Sequence, residues 1–305
     1  MTKPILHHYD ASPFTQRALR MLGIKGLAWH SVETPMMPPK DDLVALTGGY
    51  RGTPVLQVGA DIYIDSQRIA RELERRFPEP SLFPGGDVGL TYAMVKWSDA
   101  FFRTTLHISI ALTAEHWPVE FRKDREYLFP DVDFAAVTRD VAHAKTQFRA
   151  HAGLLDQQLA DGRPYLGGDA PGMLDVHAHP FVWVARNYFP ELAVELLQGF
   201  EHIEPWERRI AALGEGERRV ITAEEAFAVA RSAEPEAVGG VKADPLGLSE
   251  GAEIEVSPDD TRRGAVRGRL VTLDWQEVAV QRSHEKCGDV VVHFPRLGYR
   301  IDKAG

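Results

Sequence analysis

Apolar positions are spaced in three different ways along the chain. Over about the first eighty residues the runs are short and change period often. Residues 5–9 form an apolar run, and Ala18, Leu19 and Leu22 then recur at helical spacing until Gly23 and Gly26 interrupt them. This pattern predicts a strand followed by a helix. A second strand is expected over 27–32, a short helix over 40–46, and a hairpin of strands over 55–58 and 62–64 around Gly59-Ala60-Asp61. Ile69, Leu73 and Phe77 at fourfold steps give the helix over 66–77 one apolar stripe. The order βαβαββα predicts an α/β unit over residues 1–80.

The period then lengthens. Trp97, Phe101, Thr104, Ile108 and Leu112 share one helical face, and Val141, Ala144, Phe148, Leu155 and Leu159 share another. A further helix over 173–187 contains Pro180, which removes one ladder hydrogen bond, and helices near 190–212 and 222–232 follow. An all-α unit is expected over 87–232. Residues 233–250, rich in Glu, Pro, Gly and Ala, read as a linker. Beyond them, segments at 252–256, 268–273, 278–280, 290–294 and 299–301 predict a small antiparallel, barrel-like β unit over 245–305. So small a unit buries little surface alone, so it is expected to pack on the helical unit.

The composition, 305 residues with 44% apolar and 26% charged, is that of a soluble globular protein. A formal net charge of −9 argues against nucleic acid as a partner, and from Glu236 onward ten Lys and Arg face twelve Asp and Glu. The first thirty residues are too interrupted by charge to form a signal peptide or a spanning helix. No membrane association and a cytoplasmic location are expected. The single cysteine, Cys287, excludes an intrachain disulfide, a Cys-x-x-Cys pair and a cysteine-based zinc cluster. Any sulfur chemistry therefore uses a substrate thiol. His177 and His179, two apart on a helix, point in different directions, so no metal is expected.

Two short segments combine a helix start with polar chemistry. In Asp10-Ala11-Ser12-Pro13-Phe14, serine caps the first helix and proline suits its first turn. A hydroxyl has two acceptor lone pairs and one donor, so the same serine can cap the helix and hydrogen-bond a ligand. In Asp65-Ser66 the free N–H groups of a helix start favour an anion.

Taken in order, Ser12-Pro13-Phe14, Thr53-Pro54-Val55-Leu56, Asp65-Ser66 and Gly167-Gly168-Asp169-Ala170-Pro171-Gly172-Met173-Leu174-Asp175 resemble the cytosolic glutathione S-transferase family over residues 3–230. The opening is similar to serine-type members, particularly the plant tau class. The resemblance implies a thioredoxin-like α/β domain followed by an all-helical domain, with glutathione as co-substrate. It also implies a small-molecule electrophile as second substrate, a role in detoxification and a homodimer.

The resemblance further implies that Pro54 is cis and that the backbone of Thr53 meets the cysteinyl group of glutathione. Asp65 and Ser66 would take the γ-glutamyl end, and Lys40 or Arg51 the glycyl carboxylate. Ser12 would hold the thiolate, with Tyr9 as its competitor, and Arg17 would support either hydroxyl or hold a carboxylate. Phe14, Trp97, Phe101 and His107 are the candidates for the acceptor pocket, and the last three also fit the core stripe of the helical unit. Asp175, with Gly172 as the helix cap, is expected to be structural.

Without a cysteine at position 12, conjugation, isomerisation or elimination is implied rather than mixed-disulfide chemistry. The C-terminal β unit is outside the ordinary transferase fold. Pro35-Met36-Met37-Pro38-Pro39 and Gly49-Tyr50-Arg51-Gly52 resemble an uncharacterised branch that carries such an extension. The alternative is a non-catalytic binding or scaffold protein built on the transferase fold.

Overall fold

A computed structural model describes residues 2–236 and 239–304. The first eighty residues fold as β1 (Ile5–His8), α1 (Pro13–Ile24), β2 (Ala28–Glu33), α2 (Asp41–Thr47), β3 (Val55–Val58), β4 (Asp61–Ile64) and α3 (Ser66–Arg76). β1 runs parallel to β2 and antiparallel to β3, which pairs antiparallel with β4. Leu6, Leu56, Val58 and Tyr63 of the sheet pack with Leu19 and Leu22 of α1 and Ile69 and Leu73 of α3. The fourfold stripe seen in the sequence of α3 is thus its buried face.

The helical unit comprises α4 (Val88–Thr113), α5 (Val119–Leu128), α6 (Phe134–Arg139), α7 (Val141–Leu159), α8 (Met173–Tyr188), α9 (Pro190–Leu197) and α10 (Ile203–Ala212). Its core joins Phe101, Phe148, Phe181 and Trp206. The buried stripe of α4 runs through Val95, Ser98, Phe101, Thr105 and Ile108, while Leu112 is exposed. It is rotated from the expected face because Ser98 and Thr105 donate their hydroxyls to the carbonyls of Val95 and Phe101 (2.6 and 2.9 Å). Self-satisfied hydroxyls are buried without an orphaned donor. Asp175 has the structural place expected of it, accepting from the backbone N–H of Leu166 and Gly172 and from Trp206 Nε1 (2.9, 3.0 and 2.7 Å).

The chain then returns to the α/β sheet. β5 (Glu217–Val220) pairs parallel with β2, and α11 (Ala223–Arg231) places Ala226 against Ile5 and Val32 rather than in the helical core. Residues 237 and 238 of the expected linker lie outside the described residues. The remainder forms β6 (Gly240–Val241), β7 (Glu253–Pro258), β8 (Val266–Leu273), β9 (Glu277–His284), β10 (Gly288–Pro295) and β11 (Tyr299–Lys303). β7 to β10 meander antiparallel, β11 pairs with β7, and the short β6 lies parallel to the end of β8.

The expectation that these strands pack on the helical unit is corrected. β10 pairs parallel with β4, Val291 opposite Asp61 and His293 opposite Tyr63, so one sheet runs β11-β7-β8-β9-β10-β4-β3-β1-β2-β5. Val256, Leu270, Val280 and Phe294 share a core with Leu43 and Leu46 of α2, Ile62 and Ile64 of β4 and Phe227 of α11. The α/β sheet offers both a free edge and an apolar face, and the C-terminal strands cover both. Cys287 is buried in this shared core.

Candidate functional site

Two adjoining cavities open between the α/β and helical units and share Phe14, Thr53, Phe102, Phe129 and Arg263 among their walls. The polar one, of about 300 Å³, is walled by Thr53, Pro54, Asp65 and Ser66. Its far side is Asp99 of α4 together with Asp260 and Arg263 of the β7–β8 loop and Tyr299 of β11. The apolar one, of about 530 Å³, holds Tyr9, Ser12, Lys40 and Arg51 on one side. Phe102, Leu106, Trp117, Phe129 and Phe181 form the other.

Ser12 caps α1 with extended backbone, its Oγ accepting from Thr15 N at 3.3 Å, and it is buried at the floor of the apolar cavity. The cap uses one lone pair, so the hydroxyl hydrogen is free to donate into the cavity. Tyr9, on the same wall, lies with its ring 5.3 Å from Lys40 Nζ. Burial, then Arg125 and Arg51, push the Lys40 ammonium down to about 8. Arg51 is drawn to Asp124 and packs over Tyr127, so its guanidinium is already paired.

The Thr53-Pro54 bond is cis. Among the described residues, no other backbone group engages the N–H or C=O of Thr53, a residue that lines both cavities. Asp65 sits at φ +76°, a strained conformation for a residue with a side chain, and caps α3 by accepting from Gln67 N at 2.9 Å. Burial pushes its carboxyl up, against the Gln67 N–H and the charges of Arg263 and Arg17. Arg17 crosses from α1 to donate to Ser66 Oγ and Ser98 Oγ at 3.5 and 3.4 Å. Burial lowers its guanidinium to about 10, still cationic at neutral pH.

The structure thus gathers Ser12, Tyr9, Phe14, Lys40, Arg51, Thr53, Pro54, Asp65 and Ser66 around one compound cleft. Three residues expected in the acceptor pocket are elsewhere. Phe101 lies fully buried in the helical core, and Trp97 faces a separate cavity between α4, α7 and α8. His107 lines neither cavity, and burial lowers its imidazole. With α4 rotated, Phe102, Thr105, Leu106 and Ser109 face the apolar cavity instead. His177 and His179 diverge as expected, the first toward Ser98 and the second edge-on to Trp206. Arg263 and Tyr299 went unrecognised in the sequence, because nothing local sets them apart from other strand and loop residues.

A thioredoxin-like sheet is joined to a helical bundle, and a polar and an apolar cavity meet between them at a cis-proline turn. Residues 6–81 match the glutathione S-transferase N-terminal domain and residues 135–209 the glutathione S-transferase C-terminal domain. The chain is 31% identical to a GST-like protein from Pseudomonas syringae, with 100% of both chains covered and a TM-score of 0.82. It belongs to the glutathione S-transferase family.

Two more distant structures share the fold. A glutathione S-transferase of Ceriporiopsis subvermispora, in complex with glutathione, is 20% identical over 69% of this chain and 96% of its own, with a TM-score of 0.55. Rice GST1, also in complex with glutathione, is 20% identical over 74% and 94%, with a TM-score of 0.50. No curated protein matches the chain.

Proposed function

We propose that the protein is a glutathione transferase that binds glutathione in the polar cavity and along Thr53, and presents its thiolate to a small hydrophobic electrophile in the apolar cavity. The observation that carries this reading is the junction itself. A free serine hydroxyl at a helix start and an unengaged backbone segment before a cis proline meet where the polar and apolar cavities join.

Each group then has a physical task. The Thr53 backbone pairs with the cysteinyl amide of glutathione as an added strand would. Ser66 and the α3 terminus take an anionic end, and Lys40 takes the other carboxylate, whose charge restores the ammonium that burial disfavours. A free thiol is only a few per cent ionised at neutral pH. Ser12 donates to the thiolate beside the positive end of α1, and lowering a thiol by about two units asks for about 2.7 kcal/mol of differential stabilisation. One charge-assisted hydrogen bond and a helix end supply that order of energy.

A homodimer and a cytoplasmic setting belong to the same proposal. The lone, unpaired Cys287 is in keeping with the latter. The test is direct: millimolar glutathione raises the melting temperature, because a ligand that binds only the native state stabilises it by RT ln(1 + L/Kd), where L is the free ligand concentration. No shift in melting temperature and no retention on glutathione resin would refute the reading.

A further inference from the structure

The C-terminal strands do more than cover a sheet edge. The loop between β7 and β8 is clamped from two sides, with Arg51 N donating to Arg263 O (2.8 Å) and Arg262 N donating to Leu128 O (3.1 Å). Gly49 and Gly264, both at positive φ, bring the loop against the turn before Thr53. A Cβ on Gly264 would lie 2.2 Å from Gly49 O, and one on Gly49 would lie 2.3 Å from Ala265 O. The close approach is open to glycine only.

This clamp fixes the guanidinium of Arg263 in the wall between the two cavities. Its side chain is 17% exposed, yet among the described residues it donates no side-chain hydrogen bond, and its nearest acid is the exposed Asp260 at 3.6 Å. Beside it Tyr299, 6% exposed, lines the polar cavity together with Tyr50, and its hydroxyl lies next to that of Tyr50 without a hydrogen bond of good geometry. A guanidinium with no hydrogen-bond acceptor, only an exposed acid 3.6 Å away, and a buried hydroxyl without a well-placed acceptor favour a ligand that supplies them. Asp65 stands within electrostatic reach of both.

We propose that Arg263 and Tyr299 form an anion-binding pair, contributed by the C-terminal unit, that takes a carboxylate of the ligand in the polar cavity. With Asp65 near enough to hold an ammonium, the arrangement favours the zwitterionic amino-acid head of a γ-glutamyl group over a carboxylate on the second substrate. That choice rests on the glutathione reading, whereas the anion pair itself does not.

Calorimetry on Arg263→Gln and Tyr299→Phe separates the possibilities. The probes are glutathione, its analogue with 4-aminobutyryl in place of the γ-glutamyl group, S-methylglutathione and S-carboxymethylglutathione. Arg263→Gln weakens glutathione by about tenfold or more, Tyr299→Phe by less, and neither changes the affinity for the 4-aminobutyryl analogue. If instead glutathione is unaffected and only the preference for the S-carboxymethyl over the S-methyl compound is lost, the pair stands and reads the second substrate. Unchanged affinities for all four probes overturn the pair and leave the glutathione reading intact.

If the wild-type protein binds none of the four, the glutathione reading falls, and glutarate decides the rest. Arg263-dependent uptake keeps the anion pair, and no uptake removes it. Ligand-free Arg263→Gln melts close to wild type, since the guanidinium's contacts with the exposed Asp260 (3.6 Å) and the Phe14 ring (5.6 Å) are weak. A markedly lower melting temperature would make the arginine structural and overturn the proposal. Arg263→Lys, which keeps the charge without the fork, retains part of the affinity and serves should the glutamine variant not fold.

Discussion

At the residue scale, the environment of a side chain decides between bland and chemical roles. Ser12 caps α1 and still has a hydrogen to give. Ser12→Ala therefore removes the thiolate absorbance of bound glutathione and slows turnover by about ten- to a hundredfold, the worth of one hydrogen bond to a charged group. An unchanged absorbance would transfer the role to Tyr9. His293 shows the opposite balance. Burial lowers its imidazole, but hydrogen bonds to Asp61 (3.0 Å) and Glu277 (2.5 Å) more than reverse that, and the net shift is upward. The charged form ties β10 to β4. Its contribution is complete below the ordinary value of 6.5 and is lost as pH rises through the raised native value. The difference in melting temperature between wild type and His293→Gln should thus be widest in mild acid and narrow in alkali. A constant difference would mean that the imidazole is neutral throughout.

At the element scale, the site is made where element ends meet. The starts of α1 and α3 and the turn before β3 come from one unit, the face of α4 from a second, and the β7–β8 loop from a third. The glycine contact is what sets that loop. Gly264→Ala forces strain into a position at φ +95° with a backbone oxygen in its way. A destabilisation of about 1–3 kcal/mol follows, read as a fall of several degrees in melting temperature. Glutathione affinity should fall with it, because the same loop carries Arg263. A variant with the stability loss and unaltered affinity would separate the loop from the site.

At the scale of the whole molecule, β5 covers the β2 edge of the α/β sheet and β10 covers the β4 edge. The proposed homodimer would not pair through β2 or β4. Light scattering is expected to give twice the chain mass, and the chain mass alone would contradict the dimer. The shared core of α2, α11 and the C-terminal strands makes the extension integral to the fold. A chain ended after residue 236 exposes Leu43, Leu46, Ile62 and Phe227 and should be insoluble or bind hydrophobic dyes strongly. A soluble, cooperatively melting truncation would show the α/β unit to be self-sufficient.

The sequence by itself determined the order of elements and the chemistry of their ends. Strand and helix periods, the Ser12-Pro13 cap, the Thr53-Pro54 turn and the Asp65-Ser66 helix start are local, because backbone preference and capping act within a few residues. Facing was less legible: α4 is rotated because Ser98 and Thr105 hide their hydroxyls in the helix itself. Only the tertiary structure decided where β5, α11 and the last strands go, and that Arg263 and Tyr299 reach the cleft beside Asp65. An arginine in a loop carries no mark of the cavity it will face. That follows from which sheet edge and which apolar face remain to be covered, a property of the assembled fold.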